Sequence, residues 1–281
     1  MKSLRIKCPA KINLTLEIVN KREDGFHNIK SIMQLIDLYD YLAISVSKAG
    51  KNEIVISGNN TELPYDSHNL VYKAADAFLT EAAITGYKIH VYIEKNIPLS
   101  AGLAGGSTDA AGTIFGLNKI FNDTLSYDKL NELCARLGSD LNVCLNGGCL
   151  LATSRGEVIE HLPVIKMPVT LIKPKETGIS AKEAYTKYSQ KKFKPKNNMT
   201  EKMIEALNTK KDIIPYLYND LEYAVFDDYN ELQYIKKSIP DSIMSGSGST
   251  YFLLRDFSGN LGENYQIIRN LKFIPNGVSI A

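Results

Sequence analysis

Hydrophobic and polar residues alternate strictly over residues 87–94, the period of a β-strand with one buried face. The apolar positions are Tyr87, Ile89, Val91 and Ile93, and the polar face carries Lys88, His90, Tyr92 and Glu94. Beyond a run of small residues, apolar positions recur at helical spacing from Ala110 to Phe121. The pattern therefore predicts a strand, a flexible connection and a helix in direct succession.

The same periodicities predict further elements along the chain. Strands or strand fragments are expected at residues 5–12, 13–20, 42–47 and 53–57. One helix is expected over residues 69–83, and a second is capped by Ser126 and ended by Gly138. A turn into another strand is expected at residues 147–152, and a crossing between two domains at residues 157–164. The lysine-rich stretch 187–202 is expected to be a solvated loop.

The connection between the first strand and helix has the composition of a phosphate-binding loop. We call residues 98–108 the glycine loop: Pro98, Leu99, Ser100, Ala101, Gly102, Leu103, Ala104, Gly105, Gly106, Ser107 and Thr108. Glycine lets the backbone approach a ligand closely, and the N–H groups of a helix N-terminus attract anions. The hydroxyls of Ser107 and Thr108 could reach a phosphate oxygen or Mg²⁺.

A plain turn followed by a helix cap would explain the same glycines and serines. The two common phosphate motifs are absent, because neither G-x-x-x-x-G-K-[ST] nor G-x-G-x-x-G occurs here. Any phosphate bound by this loop is therefore held by another scheme.

Composition fits a globular chain and narrows the function only a little. The 281 residues suit two domains, and 44% hydrophobic residues suffice for real cores. A formal net charge of +2 gives no sign of nucleic-acid binding. The amino terminus lacks the features of a secretory signal and no segment has the apolar length of a membrane span, so a cytoplasmic location is expected.

The cysteines and histidines show no metal-ligand spacing. The four cysteines include no C-x-x-C pair and are expected to be buried free thiols. The four histidines are scattered along the chain. No intrinsic metal site is expected.

Two further segments identify the scheme of the glycine loop, and the first of them contains a pair of motifs. The sequence Pro9-Ala10-Lys11-Ile12-Asn13-Leu14 is followed by Arg22-Glu23-Asp24-Gly25-Phe26-His27, and Ser245-Gly246-Ser247-Gly248-Ser249-Thr250 lies near the carboxyl end. With the glycine loop between them, this trio resembles the GHMP superfamily of small-molecule kinases. The amino-terminal pair is similar to the family that phosphorylates 4-diphosphocytidyl-2-C-methyl-D-erythritol, an isoprenoid precursor.

The resemblance implies an α+β fold with two domains and a cleft between them. Residues 1–160 would form a ribosomal-S5-like nucleotide domain, and residues 161–281 a ferredoxin-like substrate domain. ATP and Mg²⁺ would be the cofactors, and the partner a small molecule carrying cytidine diphosphate. No nucleic-acid or membrane partner is expected, and the protein would be a monomer or weak homodimer.

The resemblance also assigns roles to individual residues. Asp140, which by position alone could be a helix N-cap, aligns with the catalytic acid/base of a G-A-D-V-P-like segment. Lys11, otherwise an ordinary lysine at a strand edge, would lie against it and stabilise the developing charge. The glycine loop would bind the ATP phosphates.

The same comparison places the acceptor. Asn13, Phe26 and His27 match positions of the cytidine pocket, with Tyr185 as a second aromatic that could equally be a core residue. Gly246 and Gly248 would let their loop approach the phosphates or the acceptor.

The chain departs from the family pattern at three positions. Phe26 replaces tyrosine, Thr108 replaces serine, and Asn142 replaces the proline after Asp140, which could loosen that turn. Two alternatives stay open: a related kinase acting on homoserine or a mevalonate-like acid, and a kinase-like binding protein with reduced catalysis.

Overall fold

The computed structural model describes residues 2–191 and 198–281, which form two β-sheets with helices packed against them. The first sheet has eight strands: β1 Lys2–Lys21, β2 His27–Lys48, β3 Glu53–Gly58, β4 Tyr87–Glu94, β5 Cys149–Ser154, β6 Val158–Leu162, β8 Tyr218–Asn219 and β12 Ser279–Ile280. The second has four: β7 Pro168–Pro174, β9 Ile243–Met244, β10 Tyr251–Leu253 and β11 Tyr265–Lys272. The α+β class expected from the sequence is confirmed.

Eight α-helices accompany these sheets in the described ranges. They are α1 Leu70–Glu81, α2 Gly105–Ile120, α3 Tyr127–Leu137, α4 Leu141–Asn146, α5 Ala181–Gln190, α6 Met199–Thr209, α7 Asp220–Val225 and α8 Asn230–Ser238. Asn69 caps α1 and Ser126 caps α3 through their side chains, and Gly138 ends α3, as predicted. None of the described helices is long and apolar enough to cross a membrane.

The first sheet is built on one long antiparallel pair. Its path runs β12-β1-β2-β4-β3, with β5 added to β2 and β8 added to β1. The predicted strands 5–12 and 13–20 are one strand, β1, and 42–47 is only the end of β2. Bulges at Pro9/Ala10, Asn13/Thr15 and Ile18/Asn20 shift the β1–β2 register, which lets such long strands bend without breaking.

Two expected connections contain secondary structure, so the solvated loop at 187–202 is wrong, while the domain crossing at 157–164 stays a prediction. Residues 158–162 of the expected crossing form β6, which pairs with β5 through a turn where Gly156 adopts a φ of 120°. The expected loop 187–202 is helical at both ends, in α5 and α6, because Ser180 caps α5 and apolar residues of α6 such as Met203 are buried. Its residues 192–197 lie outside the described ranges.

Three apolar clusters hold these layers together. One lies between the first sheet and α1–α3, with Phe78 and Ile114 at its centre. A second joins β1 and β2 to the second sheet and α6, and a third joins the second sheet to α7 and α8. Residues from both predicted domains share the last two clusters. The boundary near residue 160 stays a prediction.

Helix α2 lies unusually close to the first sheet. A Cβ on Gly112 would come 2.4 Å from the Sγ of Cys8, and one on Gly116 would come 2.6 Å from Cδ1 of Ile44. Glycine at these positions lets the helix approach the strands that carry the cleft residues. The glycine loop is thereby held against β1.

Gly112→Val should therefore destabilise the fold by about 1–3 kcal/mol, because the added side chain overpacks this contact. Gly50→Val is the matched control, since Gly50 is exposed and its Cβ would meet nothing within 4 Å. Urea unfolding followed by circular dichroism measures both. Equal stability of the two variants would contradict the close packing.

Candidate active site

The glycine loop forms one wall of a cleft of about 970 Å³. Ser100, Gly102 and Ala104 have φ angles of 48°, 72° and 58°, which turn the chain sharply before α2 begins. Ala104 occupies the N-cap position of α2 and offers no side-chain cap. The first N–H groups of this helix therefore have no capping side chain. They lie at the positive end of the helix dipole, and this end lines the cleft.

The loop at residues 245–250 packs directly on the glycine loop. Ser245 Oγ donates to the carbonyl of Gly102 over 3.0 Å and accepts from the backbone N–H of Asn13 over 3.3 Å. A Cβ on Gly246 would lie 3.0 Å from the Gly102 oxygen and 3.1 Å from Lys11 Nζ. Glycine is therefore required at position 246 for this approach.

Lys11 and Asp140 face each other in the cleft. The buried Lys11 ammonium donates to Asn13 Oδ1 at 2.6 Å and to the Gly102 carbonyl at 3.0 Å, and it lies 3.7 Å from Asp140 Oδ2. Asp140 occupies the N-cap position of α4, but its side chain makes no capping hydrogen bond. With 29% of its side chain exposed, the carboxylate is available to a ligand beside a fixed cation.

A buried chain of hydrogen bonds orients Asn13. Its Nδ2 donates to Ser31 Oγ at 2.8 Å, and Ser31 in turn donates to the Thr15 carbonyl at 2.6 Å. The Oδ1 atom is therefore directed at Lys11. Asn13 acts here as a support for the ammonium as well as a residue that lines the cleft.

Aromatic residues line the other end of the cleft. The rings of His27 and Tyr185 stack at 5.1 Å between centroids with an interplanar angle of 20°, and the Phe26 side chain is exposed. Burial, together with the charge of Lys21, lowers the pKa of His27, which favours a neutral ring with one donor and one acceptor nitrogen. Burial also raises the pKa of Tyr185.

Most of the residues expected at the site meet in this cleft. It is lined by Lys11, Asn13, Phe26, His27, residues 98–107, Asp140, Tyr185 and Gly246. Thr108 does not line it, because its side chain is fully buried. Gly248 also lies off the cleft, where a φ of 87° and the Met244 sulfur, 2.6 Å from a Cβ at that position, require glycine.

Asn142 fastens the turn that it was expected to loosen. Its side chain is buried, and Nδ2 donates to the Glu157 carbonyl at 3.1 Å. This bond ties the start of α4 to the β5–β6 turn. Asp140, two residues earlier, therefore has a fixed support without proline.

Several cleft residues were missed by the sequence analysis. The most informative is Arg155, whose Cζ lies 5.3 Å from the centre of the Phe26 ring. The others include Lys21, Lys95, Ser139, Lys182 and Ser189. Arg155 follows β5 in a hairpin turn, and no motif in the sequence signals that this turn reaches Phe26.

Among the described residues, no preformed metal centre lies in the cleft. No cluster of three or more histidine, cysteine, aspartate or glutamate side chains there could hold an ion. The four cysteines are buried and free, as expected.

Comparison with known proteins identifies related kinases. The model for the GHMP kinases N terminal domain matches residues 69–150. A 4-diphosphocytidyl-2-C-methyl-D-erythritol kinase of Bacillus pumilus is 38% identical over 270 residues, covering 94% of this chain and 92% of that protein. A kinase of the same name from Caldanaerobacter subterraneus is 41% identical over 262 residues, covering 89% and 87%.

Solved structures give the same result at the level of the fold. A crystal structure of 4-(cytidine 5'-diphospho)-2C-methyl-D-erythritol kinase has a TM-score of 0.73 at 29% identity and covers 89% of this chain and 90% of that one. Homoserine kinase from Cytophaga hutchinsonii has a TM-score of 0.79 at 18% identity, covers 100% and 98%, and shares the fold. From its identity to the curated relatives over about nine-tenths of its length, the chain belongs to the family of 4-diphosphocytidyl-2-C-methyl-D-erythritol kinases.

Proposed function

We propose that this protein transfers the γ-phosphoryl group of ATP to the 2-hydroxyl of 4-diphosphocytidyl-2-C-methyl-D-erythritol, a step in isoprenoid precursor synthesis. The observation that carries the proposal is the Lys11–Asp140 pair, 3.7 Å apart between the glycine loop and the aromatic end of one cleft. A cytoplasmic location and a monomer or weak homodimer belong to the same proposal.

The glycine loop would bind the ATP phosphates. Backbone N–H groups at the start of α2 supply donors and a positive dipole end for anions. The Ser107 hydroxyl lines the cleft and adds a further donor, whereas Thr108 is buried. Rigid alignment of the phosphoryl group is the main requirement of such a transfer.

Asp140 would accept the proton of the acceptor hydroxyl. The neighbouring ammonium of Lys11, 3.7 Å away, would stabilise negative charge that develops on the alkoxide or the phosphoryl oxygens. Because Lys11 is also bonded to Asn13 and Gly102, it is already in place before the substrates bind.

Mg²⁺ would enter with ATP and not as a resident ion. The Ser107 hydroxyl, which lines the cleft, is an oxygen donor of the kind that Mg²⁺ accepts, and this fits a cation held mainly by phosphate and water. When bound, the ion neutralises charge on the phosphoryl oxygens.

The aromatic end would hold the cytidine moiety. Phe26 offers an exposed ring face, and Tyr185 stacks on His27. Nε2 of His27 bonds Ser189 Oγ at 3.2 Å, so its Nδ1 would meet the edge of a base. Lys21 and Arg155 line the same end and place positive charge near the expected diphosphate. A homoserine or mevalonate acceptor would leave these groups unused.

Asp140→Asn should lower turnover by about 10²–10⁴-fold, because the amide keeps the shape but cannot accept the proton. MgATP affinity, measured by calorimetry, should stay near the wild-type value. Lys11→Ala should also lower turnover, and the double variant should lose less than the two effects combined. Near-normal turnover of Asp140→Asn would reject Asp140 as the base and support a mechanism in which the enzyme only positions the substrates.

Gly106→Val should weaken MgATP binding roughly tenfold or more, because its side chain enters the phosphate site. A Cβ at Gly106 meets no atom within 4 Å, so the fold should be unaffected, whereas one at Gly105 would come 2.8 Å from Lys95 Nζ. Calorimetric titration with MgATP, with thermal unfolding as a check, measures this. Unchanged affinity in the folded variant would refute the phosphate assignment.

Phe26→Ala should raise the acceptor KM roughly tenfold or more and leave the ATP KM nearly unchanged, because stacking on a base contributes about 1–3 kcal/mol. Tyr92→Ala is the control, since this half-exposed aromatic lies on β4 outside the cleft. A coupled assay with the cytidyl alcohol, methylerythritol phosphate, homoserine and mevalonate tests the acceptor. Faster turnover of either of the last two would reject the cytidyl assignment.

A further inference from the structure

A buried cluster of charges lies directly beneath the proposed phosphate site. It consists of Asp40 on β2, Lys95 just after β4, and Asp109 in α2, with side chains 0%, 3% and 3% exposed. Lys95 Nζ donates to Asp109 Oδ2 at 2.7 Å and to Asp40 Oδ2. The mechanism proposed above makes no use of these three residues.

The cluster contacts the chain on both sides of the glycine loop. Asp40 Oδ1 accepts from the backbone N–H groups of Asn96 and Ile97, at 2.6 and 2.7 Å, where the loop begins. Asp109 lies one residue beyond the end of the loop, inside α2. Lys95 joins the two carboxylates and so connects the start of the loop to its end.

The ammonium is also close to the helix N-terminus that would receive phosphate. A Cβ on Gly105 would come 2.8 Å from Lys95 Nζ, so the amine lies against the first residue of α2. The same ammonium is tied to this first turn through its bond to Asp109 at 2.7 Å. The cluster therefore lies where it can set the direction of the backbone N–H groups.

We propose that Lys95 and Asp109 are positioning residues that fix the glycine loop and thereby set the affinity for ATP. This proposal rests on the nucleotide site proposed above. The two residues act through the backbone of residues 96–106 and do not take part in the chemical step. The acceptor end of the cleft, around Phe26 and His27, should be independent of them.

Asp109→Asn is the mildest test of this role. The amide has nearly the size of the carboxyl group, but it weakens the interaction with the Lys95 ammonium 2.7 Å away. It leaves the Lys95–Asp40 pair intact but weakens the tie to α2. Lys95→Met removes the whole connection between the two carboxylates. If Lys95→Met does not fold, Asp109→Asn still tests the proposal.

Hydrogen exchange tests the loop independently of any ligand. In Asp109→Asn, amides of residues 97–106 should exchange about tenfold faster, and those of β10 should be unchanged. Lys119→Gln is the matched control, because it breaks an exposed ion pair with Asp123 at the far end of the same helix. Wild-type exchange rates in the loop of Asp109→Asn would overturn the proposal.

Steady-state kinetics separate positioning from a general loss of stability. The ATP KM of Asp109→Asn should rise about tenfold, with kcat and the acceptor KM changed less than about twofold. Equal changes in both KM values, or a lower melting temperature with no change in KM, would overturn the positioning role. Failure of wild-type protein to bind MgATP would instead reject the proposed function, and the exchange experiment would still decide the role of the cluster in the loop.

Discussion

The arrangement of the cleft depends on the interactions of one buried group, the ammonium of Lys11. It bonds to Asn13 on its own strand and to Gly102 in the glycine loop, and it faces Asp140 before α4. These groups are far apart in the sequence, and the loop at Gly246 packs against the same amine. Burying a lysine is costly unless its donors are satisfied, so the surrounding segments are constrained to supply acceptors.

The elements predicted best from the sequence are those whose signals are local. Asn69, Ser126 and Gly138 mark helix ends by their own side chains or conformation, and the strand over residues 87–94 has one buried face that sets a clear alternation. The first half of β2 was missed because residues 31–36 are buried on both faces, which removes the alternation. The helices around residues 187–202 were missed because lysines dominate their sequences, and the few apolar positions that pack do not give a clear helical period.

The candidate site divides in the same way. Motifs located Lys11, Asp140 and the glycine loop, and the structure places them in one cleft. No motif could show that Thr108 turns inward while Ser107 lines the cleft, because that depends on the rotation of α2 against the sheet. Arg155 and Lys95 could not be found either, since each gains its significance from a partner in another part of the fold: Phe26 in the β1–β2 turn for Arg155, and Asp109 in α2 for Lys95.

The return of β8 and β12 to the first sheet has a mechanical consequence. Two bodies joined by a single linker can swing about it, but here the later half of the chain also pairs with β1 at Thr15, Leu16, Ile6 and Lys7. A rigid-body hinge motion would have to break these ladder hydrogen bonds and separate the shared apolar clusters. Any opening of the cleft is therefore confined to local displacement at its rim, where α5 and the β5–β6 turn lie.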